Sequence, residues 1–227
     1  DQIAKLDIRE GDTVFVEKGG EIIPKIIGVD FTQRSLDSNP TEYITHCPEC
    51  STLLERNEGE AQHYCANYYG CPPQITGRIQ HFISRKAMDI EGMGSETVEL
   101  LFQLWNNTTS TEIYTLTKEQ LLPLERMAEK SAENLVGGVA ESVNIPFERV
   151  LFALGIRFVG ETVAKKLAKA YKNIDALMVA TTEDLIQVDE IGQRIAESVV
   201  EFFQNKKNLE IIARLKSYGL QFEISAD

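Results

Sequence analysis

All four cysteines of the 227-residue chain lie in one short stretch, CPECSTLLERNEGEAQHYCANYYGC, which begins at Cys47 and ends at Cys71. Their spacing is C-x2-C-x14-C-x5-C. Two close pairs joined by a loop are typical of tetrahedral zinc coordination, because each pair supplies two thiolate ligands from one turn. A closed four-thiolate site leaves no open position for water. The spacing therefore predicts a structural zinc site with the ligands Cys47, Cys50, Cys65 and Cys71.

Disulfide pairing is the alternative for these cysteines, and the surrounding sequence favours zinc. Pro48, Gly70 and Pro72 supply the turns that a zinc knuckle needs. The first residues, DQIAKLDIREGD, contain neither an initiator Met nor a secretory leader. We therefore expect a piece of a longer protein that is not secreted, and disulfides are rare in such proteins.

Three histidines, His46, His63 and His81, are further candidate ligands near the cysteines. Because four thiolates already complete a structural site, we expect each histidine to lie at the surface or in a polar contact. A module of about thirty residues has too small a core to fold alone, so it should need the metal.

Composition narrows the choice of partner and at first argues against nucleic acid. The formal charge is -12, whereas DNA-binding proteins usually carry a surplus of Lys and Arg. No apolar run approaches the ~20 residues of a membrane span, so we expect a cytoplasmic protein with no membrane partner. A DNA-binding function would therefore need phosphate contacts that do not depend on basic side chains.

A five-residue frame, hydrophobic-x-Gly-hydrophobic-Gly, recurs four times in the second half of the chain with varying fidelity. The copies are IEGMG, LERMA, IRFVG and VDEIG, at residues 90–94, 124–128, 156–160 and 188–192. Each copy stands between two helical patterns; the preceding ones are ISRKAMD, TKEQLLP, FERVLFALG and TTEDLIQ. This arrangement predicts a helix, hairpin, helix unit that is repeated four times.

Such a hairpin is suited to bind an anion. Glycine permits the tight reversal, and the second helix presents its free N–H groups and the positive end of its dipole. In a DNA-binding protein the anion is a backbone phosphate, and main-chain amides bind it without any Lys. This requires that the amides are not capped by the protein's own side chains. The alternative is an α-helical bundle in which glycine only ends helices.

The four copies differ at their glycine positions. The first has Gly92 and Gly94, so we expect it to approach a phosphate most closely. The third and fourth keep only Gly160 and Gly192, and Glu190 would repel a phosphate that it faced. The second has neither glycine and is expected to be the most structural. Cations just past the hairpins add candidate phosphate contacts: Lys130, Lys165 and Arg194.

The N-terminal segment DTVFVEKGGEIIPKIIGVDF alternates apolar and polar residues around Lys18-Gly19-Gly20-Glu21, which predicts a β-hairpin. Pro24 places the second strand at a sheet edge. On a strand, the adjacent Ile22 and Ile23 cannot both face one core. One of them would point outward beside Lys18, as an apolar wedge for a DNA minor groove, unless both are buried in a small barrel.

The order of these parts resembles the C-terminal half of the bacterial NAD-dependent DNA ligases, over nearly the whole chain. The resemblance depends on four stretches together: LDIREGDTVFVEKGGEIIPKI, the cysteine frame, HFISRKAMDIEGMG and LGIRFVGETVAKKLA. It implies that the first segment is the end of an OB-fold domain that clasps duplex DNA, with Lys18, Ile22 and Ile23 as DNA contacts. The family more often has Arg-Ala-Gly where this chain has Lys18-Gly19-Gly20, so the Lys18 contact should lack a bidentate fork.

The resemblance also implies which functions lie outside this chain. The family's adenylation domain holds a K-x-D-G lysine and the NAD pocket, and the string K-x-D-G does not occur here. NAD and Mg²⁺ are thus expected to bind outside this chain. A terminal protein-interaction domain that often follows in the family is also absent from the sequence. We therefore expect zinc as the cofactor of this chain, no catalytic residue within it, and nicked double-stranded DNA as the partner of a monomer.

The predicted fold is mostly α and multi-domain. We expect a small β OB-fold portion at 1–45, a four-cysteine zinc finger at 46–76 and a tandem helix-hairpin-helix domain of four repeats at 77–227. Two other functions stay open. A repair nuclease would need a carboxylate cluster for two Mg²⁺ ions, which the scattered acidic residues do not indicate. A protein-interaction scaffold is mildly favoured by the acidity.

Overall fold

A computed structural model describes residues 2–20, 22–105 and 109–225 of the chain. The residues form two compact units, Asp1–Tyr68 and Tyr69–Asp227. The first unit contains one short helix and four strands: α1 Gln2–Leu6, β1 Val14–Lys18, β2 Pro24–Val29, β3 Leu54–Glu55 and β4 Tyr64–Cys65.

The regular structure in the described part of the second unit is helical, apart from one isolated β-bridge between Asn173 and Glu223. Its α-helices are α2 Pro72–Ile83, α3 Ser95–Leu104, α4 Lys118–Leu121, α5 Glu129–Ser142, α6 Phe147–Ala153, α7 Glu161–Tyr171, α8 Ile174–Met178, α9 Thr182–Leu185, α10 Gln193–Gln204 and α11 Lys206–Ser217. Two 3-10 helices, Phe31–Gln33 in the first unit and Ser110–Thr115 in the second, complete the regular structure. The prediction of a mostly helical fold with small sheets is confirmed.

Two small antiparallel sheets make up the β structure of the first unit. β1 pairs with β2 from Val14 opposite Val29 to Lys18 opposite Pro24, with an irregularity between Phe15 and Val16. β3 pairs with β4 in the cysteine-rich segment. Residues 19, 20, 22 and 23 lie in the connection between β1 and β2. The predicted hairpin residue Glu21 lies outside the described residues.

An arginine links the loops around the first sheet. Arg34 Nη1 lies 2.7 Å from Asp7 Oδ2, and Arg34 Nη2 lies 2.7 Å from Asp12 Oδ2. Only 1% of the Asp12 side chain is exposed, and the hydrogen bond from Arg34 lowers the pKa of that carboxyl group. This ion-pair cluster stabilises a segment that has little apolar core of its own.

The core of the second unit is formed by aliphatic and aromatic residues that are spaced along its amphipathic helices. Leu135 of α5, Leu151 of α6, Leu167 of α7 and Leu215 of α11 are each 0% exposed. Burial of one such side chain stabilises a fold by about 1.5–3 kcal/mol. The helices therefore pack by their apolar faces, and apolar residues of the connections, such as Met93 and Ile191, join the same core.

The structure contradicts one helical prediction. α2 ends at Ile83, and ISRKAMD continues from there as turns rather than as a helix. The Ser84 hydroxyl donates a hydrogen bond to the carbonyl of His81 at 2.7 Å, and Ser84 has extended ψ. This local cap ends the helix although the following residues have adequate helix propensity.

No helix in the described ranges combines the length and the apolar character that crossing a membrane requires.

Candidate zinc centre and nucleic-acid interface

The four cysteines come together at one point, although they are separated in sequence. The backbone N–H of Ser51 bonds the carbonyl of Cys47 at 2.9 Å, which closes the first knuckle. β4 brings Cys65 to this knuckle, and Cys71 stands at the N-cap of α2, directly before Pro72. All four Sγ atoms lie within 4.8 Å of one another.

This arrangement fits a tetrahedral zinc ion. Zn–S bonds of about 2.3 Å place neighbouring sulfurs just under 4 Å apart, and Cys50 Sγ lies 3.5 Å from Cys65 Sγ. That distance is far longer than the ~2.05 Å of a disulfide, and none of the four cysteines forms a disulfide. A hydrogen bond with the Thr52 hydroxyl lowers the pKa of Cys50 to about 6, which favours the thiolate that ligates zinc.

The three histidines stand outside this group of ligands. His46 Nδ1 lies 2.8 Å from Thr45 Oγ1, and His81 Nε2 lies 2.7 Å from the carbonyl oxygen of Phe152. The ring of His63 stacks on the ring of Tyr43, with 4.0 Å between the two ring centroids. In the described ranges, the four cysteines are the one group of His, Cys, Asp or Glu that is arranged to hold a metal.

The four glycine-frame segments share one backbone conformation. Three of them nevertheless lack a glycine at the third residue, which is the first glycine position of the frame. The third residue of each segment has positive φ: Gly92 at 85°, Arg126 at 63°, Phe158 at 66° and Glu190 at 66°. For the three side-chain-bearing residues, this left-handed conformation costs of the order of 1–2 kcal/mol. The hairpin geometry is therefore retained against a local cost, which is typical of functional sites.

The helix after each of these segments begins without a side-chain cap. The N-cap residues are Gly94 for α3, Ala128 for α5, Gly160 for α7 and Gly192 for α10, all with extended backbone and no side-chain hydrogen bond to the helix amides. By contrast, side chains cap α4, α8, α9 and α11; they are Thr117, Asn173, Thr181 and Asn205. α2 and α6 also lack such a cap; α2 begins at Pro72, and Pro146 is the N-cap residue of α6.

Neither strain nor packing within the protein explains the glycines at these N-caps. Gly94, Gly160 and Gly192 have φ near −80°, which any residue adopts. A Cβ at any of the three would meet no atom within 4 Å. The open space therefore allows a ligand to approach the backbone closely, and the uncapped amides and the helix dipole favour an anion there.

The three predicted cations beside the hairpins are exposed, and they differ in their surroundings. Lys130 and Lys165 lie in the first two turns of α5 and α7. The Arg194 guanidinium lies over the Phe158 ring, 4.3 Å from its centroid, so it links the fourth hairpin to the third. The neighbouring Lys166 forms ion pairs through its Nζ atom, with Glu190 Oε2 at 2.8 Å and with Asp189 Oδ2 at 3.1 Å.

In the first unit, the structure corrects the strand argument for Ile22 and Ile23. Both lie in the connection between β1 and β2, so strand alternation does not govern them. Both are exposed, at 92% and 75%, and neither is buried in a barrel. Pro24 begins β2, and Lys18 ends β1 at an exposed position. The three predicted contacts thus lie at one end of this hairpin.

Glu190 provides a test of the cost of the left-handed hairpin position. We expect Glu190→Gly to be more stable than Glu190→Ala by about 1 kcal/mol, because only glycine adopts φ of 66° without strain. Both variants lose the same exposed ion pair with Lys166, so that loss cancels in the comparison. The measurement is urea unfolding of the two variants. Equal midpoints would show that the position carries no strain.

Sequence reasoning missed two cations near the first hairpin. Arg85 lies in the turn after α2, and Arg149 of α6 donates to the carbonyl of Arg85 at 2.5 Å. The sequence predicts a helix for the segment that contains Arg85, and Arg149 lies 64 residues further along the chain. Sequence spacing therefore does not reveal that the two residues meet. The adjacent basic residues Arg85 and Lys86 were the available signal.

Comparison with known proteins gives three matches to family models. Residues 1–38 match the NAD-dependent DNA ligase OB-fold domain. Residues 46–72 match the NAD-dependent DNA ligase C4 zinc finger domain, and residues 149–212 match the helix-hairpin-helix motif. The last match spans the third and fourth glycine-frame segments.

Curated relatives are similar to this chain over almost its whole length. A DNA ligase of Christiangramia forsetii is 68% identical over 227 residues, which are 100% of this chain and 34% of the relative. A DNA ligase of Flavobacterium johnsoniae is 70% identical over 98% of this chain and 33% of the relative. The chain spans about a third of the length of the relatives it matches. It therefore corresponds to a C-terminal portion of the bacterial NAD-dependent DNA ligases, with the end of the OB-fold domain, the C4 zinc finger and the helix-hairpin-helix motif.

Proposed function

We propose that this chain is the DNA-binding portion of a ligase that seals nicks in duplex DNA during replication and repair. The ligase would join a 3′-hydroxyl to a 5′-phosphate. The observation that carries the proposal is the set of four uncapped helix N-termini, each preceded by a hairpin of the same conformation. These termini offer phosphate contacts that an acidic protein can make.

The proposal assigns the contacts to three parts of the chain. The OB-fold portion at 1–45 contributes Lys18, Ile22 and Ile23, and the zinc finger at 46–76 is structural. The helix-hairpin-helix domain at 77–227 contributes the hairpin amides. Its candidate contacts are Gly92, Gly94, Gly160, Gly192, Lys130, Lys165 and Arg194. The exposed isoleucines support a minor-groove contact for the first part, because an apolar side chain gains by leaving water.

Catalysis would take place in a part of the ligase that this sequence does not contain. Zinc supplies no reaction step in this proposal: when bound, it cross-links four thiolates in a closed site. NAD and Mg²⁺ would bind outside this chain, and the K-x-D-G lysine of the family's adenylation domain has no counterpart here. The chain alone would therefore bind DNA as a cytoplasmic, nucleoid-associated monomer and transfer no adenylate.

The purified chain tests both halves of the proposal. In fluorescence-anisotropy titrations with a nicked duplex, we expect affinity to fall steeply as salt is raised, because phosphate contacts release counterions. After incubation with NAD and Mg²⁺, we expect no mass increase of one AMP on the intact chain. A stable AMP adduct would contradict the second half, and salt-independent or absent binding would contradict the first.

The two other functions predict different results in these assays. A nuclease would nick plasmid in the presence of Mg²⁺, but no cluster of three or more carboxylates in the described ranges is arranged to hold a metal. A protein-interaction scaffold would keep the same weak DNA affinity when the hairpin N-termini are changed. The uncapped N-termini therefore favour the DNA-binding proposal.

A further inference from the structure

A cleft beside the hairpins gathers basic side chains that the amide contacts do not use. The cleft lies in the second unit and has a volume of about 520 Å³. Two carboxylates, Glu148 and Glu161, lie on its wall against four cations: Arg85, Lys86, Arg149 and Lys165. We call it the side cleft. Its excess of positive charge contrasts with the formal charge of -12 for the whole chain.

The four cations are neutralised to different degrees. Lys86 Nζ pairs with Glu161 at 2.8 Å, and both side chains are exposed. Arg149 donates to the backbone carbonyl of Arg85 at 2.5 Å and to that of Lys86 at 3.4 Å, so its bonds position the turn without cancelling its charge. In the described part of the chain, neither Arg85 nor Lys165 forms an ion pair. The side cleft thus holds net positive charge that is available to a ligand.

Several cations elsewhere around the hairpins are already engaged by carboxylates. Lys118 lies 2.7 Å from Glu129, and Arg126 lies 3.1 Å from Glu96. Lys166 contacts Glu190. The hairpin surface therefore has little unpaired charge at these positions, and the side cleft differs from them.

The side cleft adjoins the N-termini of two uncapped helices. Arg85 also lines a second hollow, whose wall includes Gly92, Gly94 and Ser95 at the start of α3. Glu161, on the wall of the side cleft, is the first residue of α7 after Gly160. Arg85 therefore lies between the amides of the first hairpin and the side cleft, which extends to the start of the helix after the third hairpin.

We propose that the side cleft binds a backbone phosphate of duplex DNA through Arg85 and Lys165, next to a phosphate that the first hairpin holds by its amides. The inference rests on the proposed function and deepens it. Arg149 positions the turn that carries Arg85, and Lys86 with Glu161 forms the rim. The contact is to phosphate alone, so it adds affinity without sequence preference.

The test replaces the two unpaired cations and measures the salt dependence of DNA binding. We expect Arg85→Gln/Lys165→Gln to reduce the slope of log K against log salt by roughly 1, because the two side chains share one phosphate and each lost phosphate contact removes about 1. The loss should be the same for two duplexes of unrelated sequence. A matched control, Lys206→Gln/Lys216→Gln, removes two charges from α11 and should leave most of the slope unchanged.

An uncharged analogue of the phosphate, placed at one position of the DNA at a time, identifies the phosphate that the side cleft contacts. Duplexes with single methylphosphonate linkages should include one position at which the original chain loses affinity and the double variant does not. If no such position exists, or if the slope changes equally in the control variant, the side cleft does not bind phosphate. The proposed function would stand in that case, because it is tested by binding of the unsubstituted chain and by the hairpin variants.

Discussion

A triple variant, Gly94→Asp, Gly160→Asp and Gly192→Asp, should bind duplex DNA roughly a thousandfold more weakly than the unsubstituted chain. Each aspartate would cap the helix amides that are proposed to hold a phosphate and would repel the phosphate as well. A hydrogen bond to a charged group is worth about 1.5–3 kcal/mol, and 1.4 kcal/mol corresponds to a factor of ten in affinity. The measurement is an anisotropy titration at fixed salt.

The same variant should be as stable as the original chain or more stable. Asp is a preferred N-cap residue, its charge interacts favourably with the helix dipole, and the replacement of glycine reduces the entropy of the unfolded chain. The three sites have ordinary φ and open space for a side chain. Thermal unfolding should therefore show an unchanged or higher midpoint while DNA binding is lost.

Asparagine at the same three positions is the matched control. It caps the amides without a charge, so we expect a loss of affinity intermediate between glycine and aspartate. If the aspartate variant unfolds at its usual temperature and binds DNA with unchanged affinity and salt dependence, the hairpin amides are not the phosphate contacts. In that case the scaffold function would be favoured.

Removal of zinc should unfold the cysteine-rich segment. Structural zinc contributes about 10–16 kcal/mol of apparent binding free energy in small fingers, more than a segment with two two-residue strands can replace. With a chelator, or in Cys47→Ser, we expect amide-exchange protection to be lost between Cys47 and Cys71. The helical unit should keep its circular dichroism, because Leu135, Leu151 and Leu167 form its own core.

Glu49→Gln is the control for the zinc prediction. Glu49 lies between two of the cysteines at an exposed position, so this variant should retain one zinc per chain by metal analysis and the same protection. Addition of Zn²⁺ after the chelator should restore protection, whereas Mg²⁺ should not, since it prefers oxygen ligands. Protection that persists in the metal-free chain would show that the segment folds without the ion.

Local patterns in the sequence were sufficient for the metal site. The spacing of Cys47, Cys50, Cys65 and Cys71 limits where their backbone can go, and short turns bring each close pair together almost regardless of the rest of the fold. The regular recurrence of the four glycine-frame segments along the sequence likewise indicated the repeated hairpins. By contrast, the alternation of residues predicts a strand position for Ile22 and Ile23, and this prediction is wrong. The register of a hairpin depends on its turn, which alternation does not define.

The sequence by itself determined the cysteine cluster, the helical character of the second half and the places where helices begin, because each depends on residues that are close in the chain. Only the tertiary structure decided that Arg126, Phe158 and Glu190 adopt the conformation of a glycine. It also decided that Arg85 and Lys165, far apart in sequence, line one cleft. The physical reason is that packing between helices, which depends on contacts across the whole unit, can impose a locally unfavourable φ and can bring like charges together.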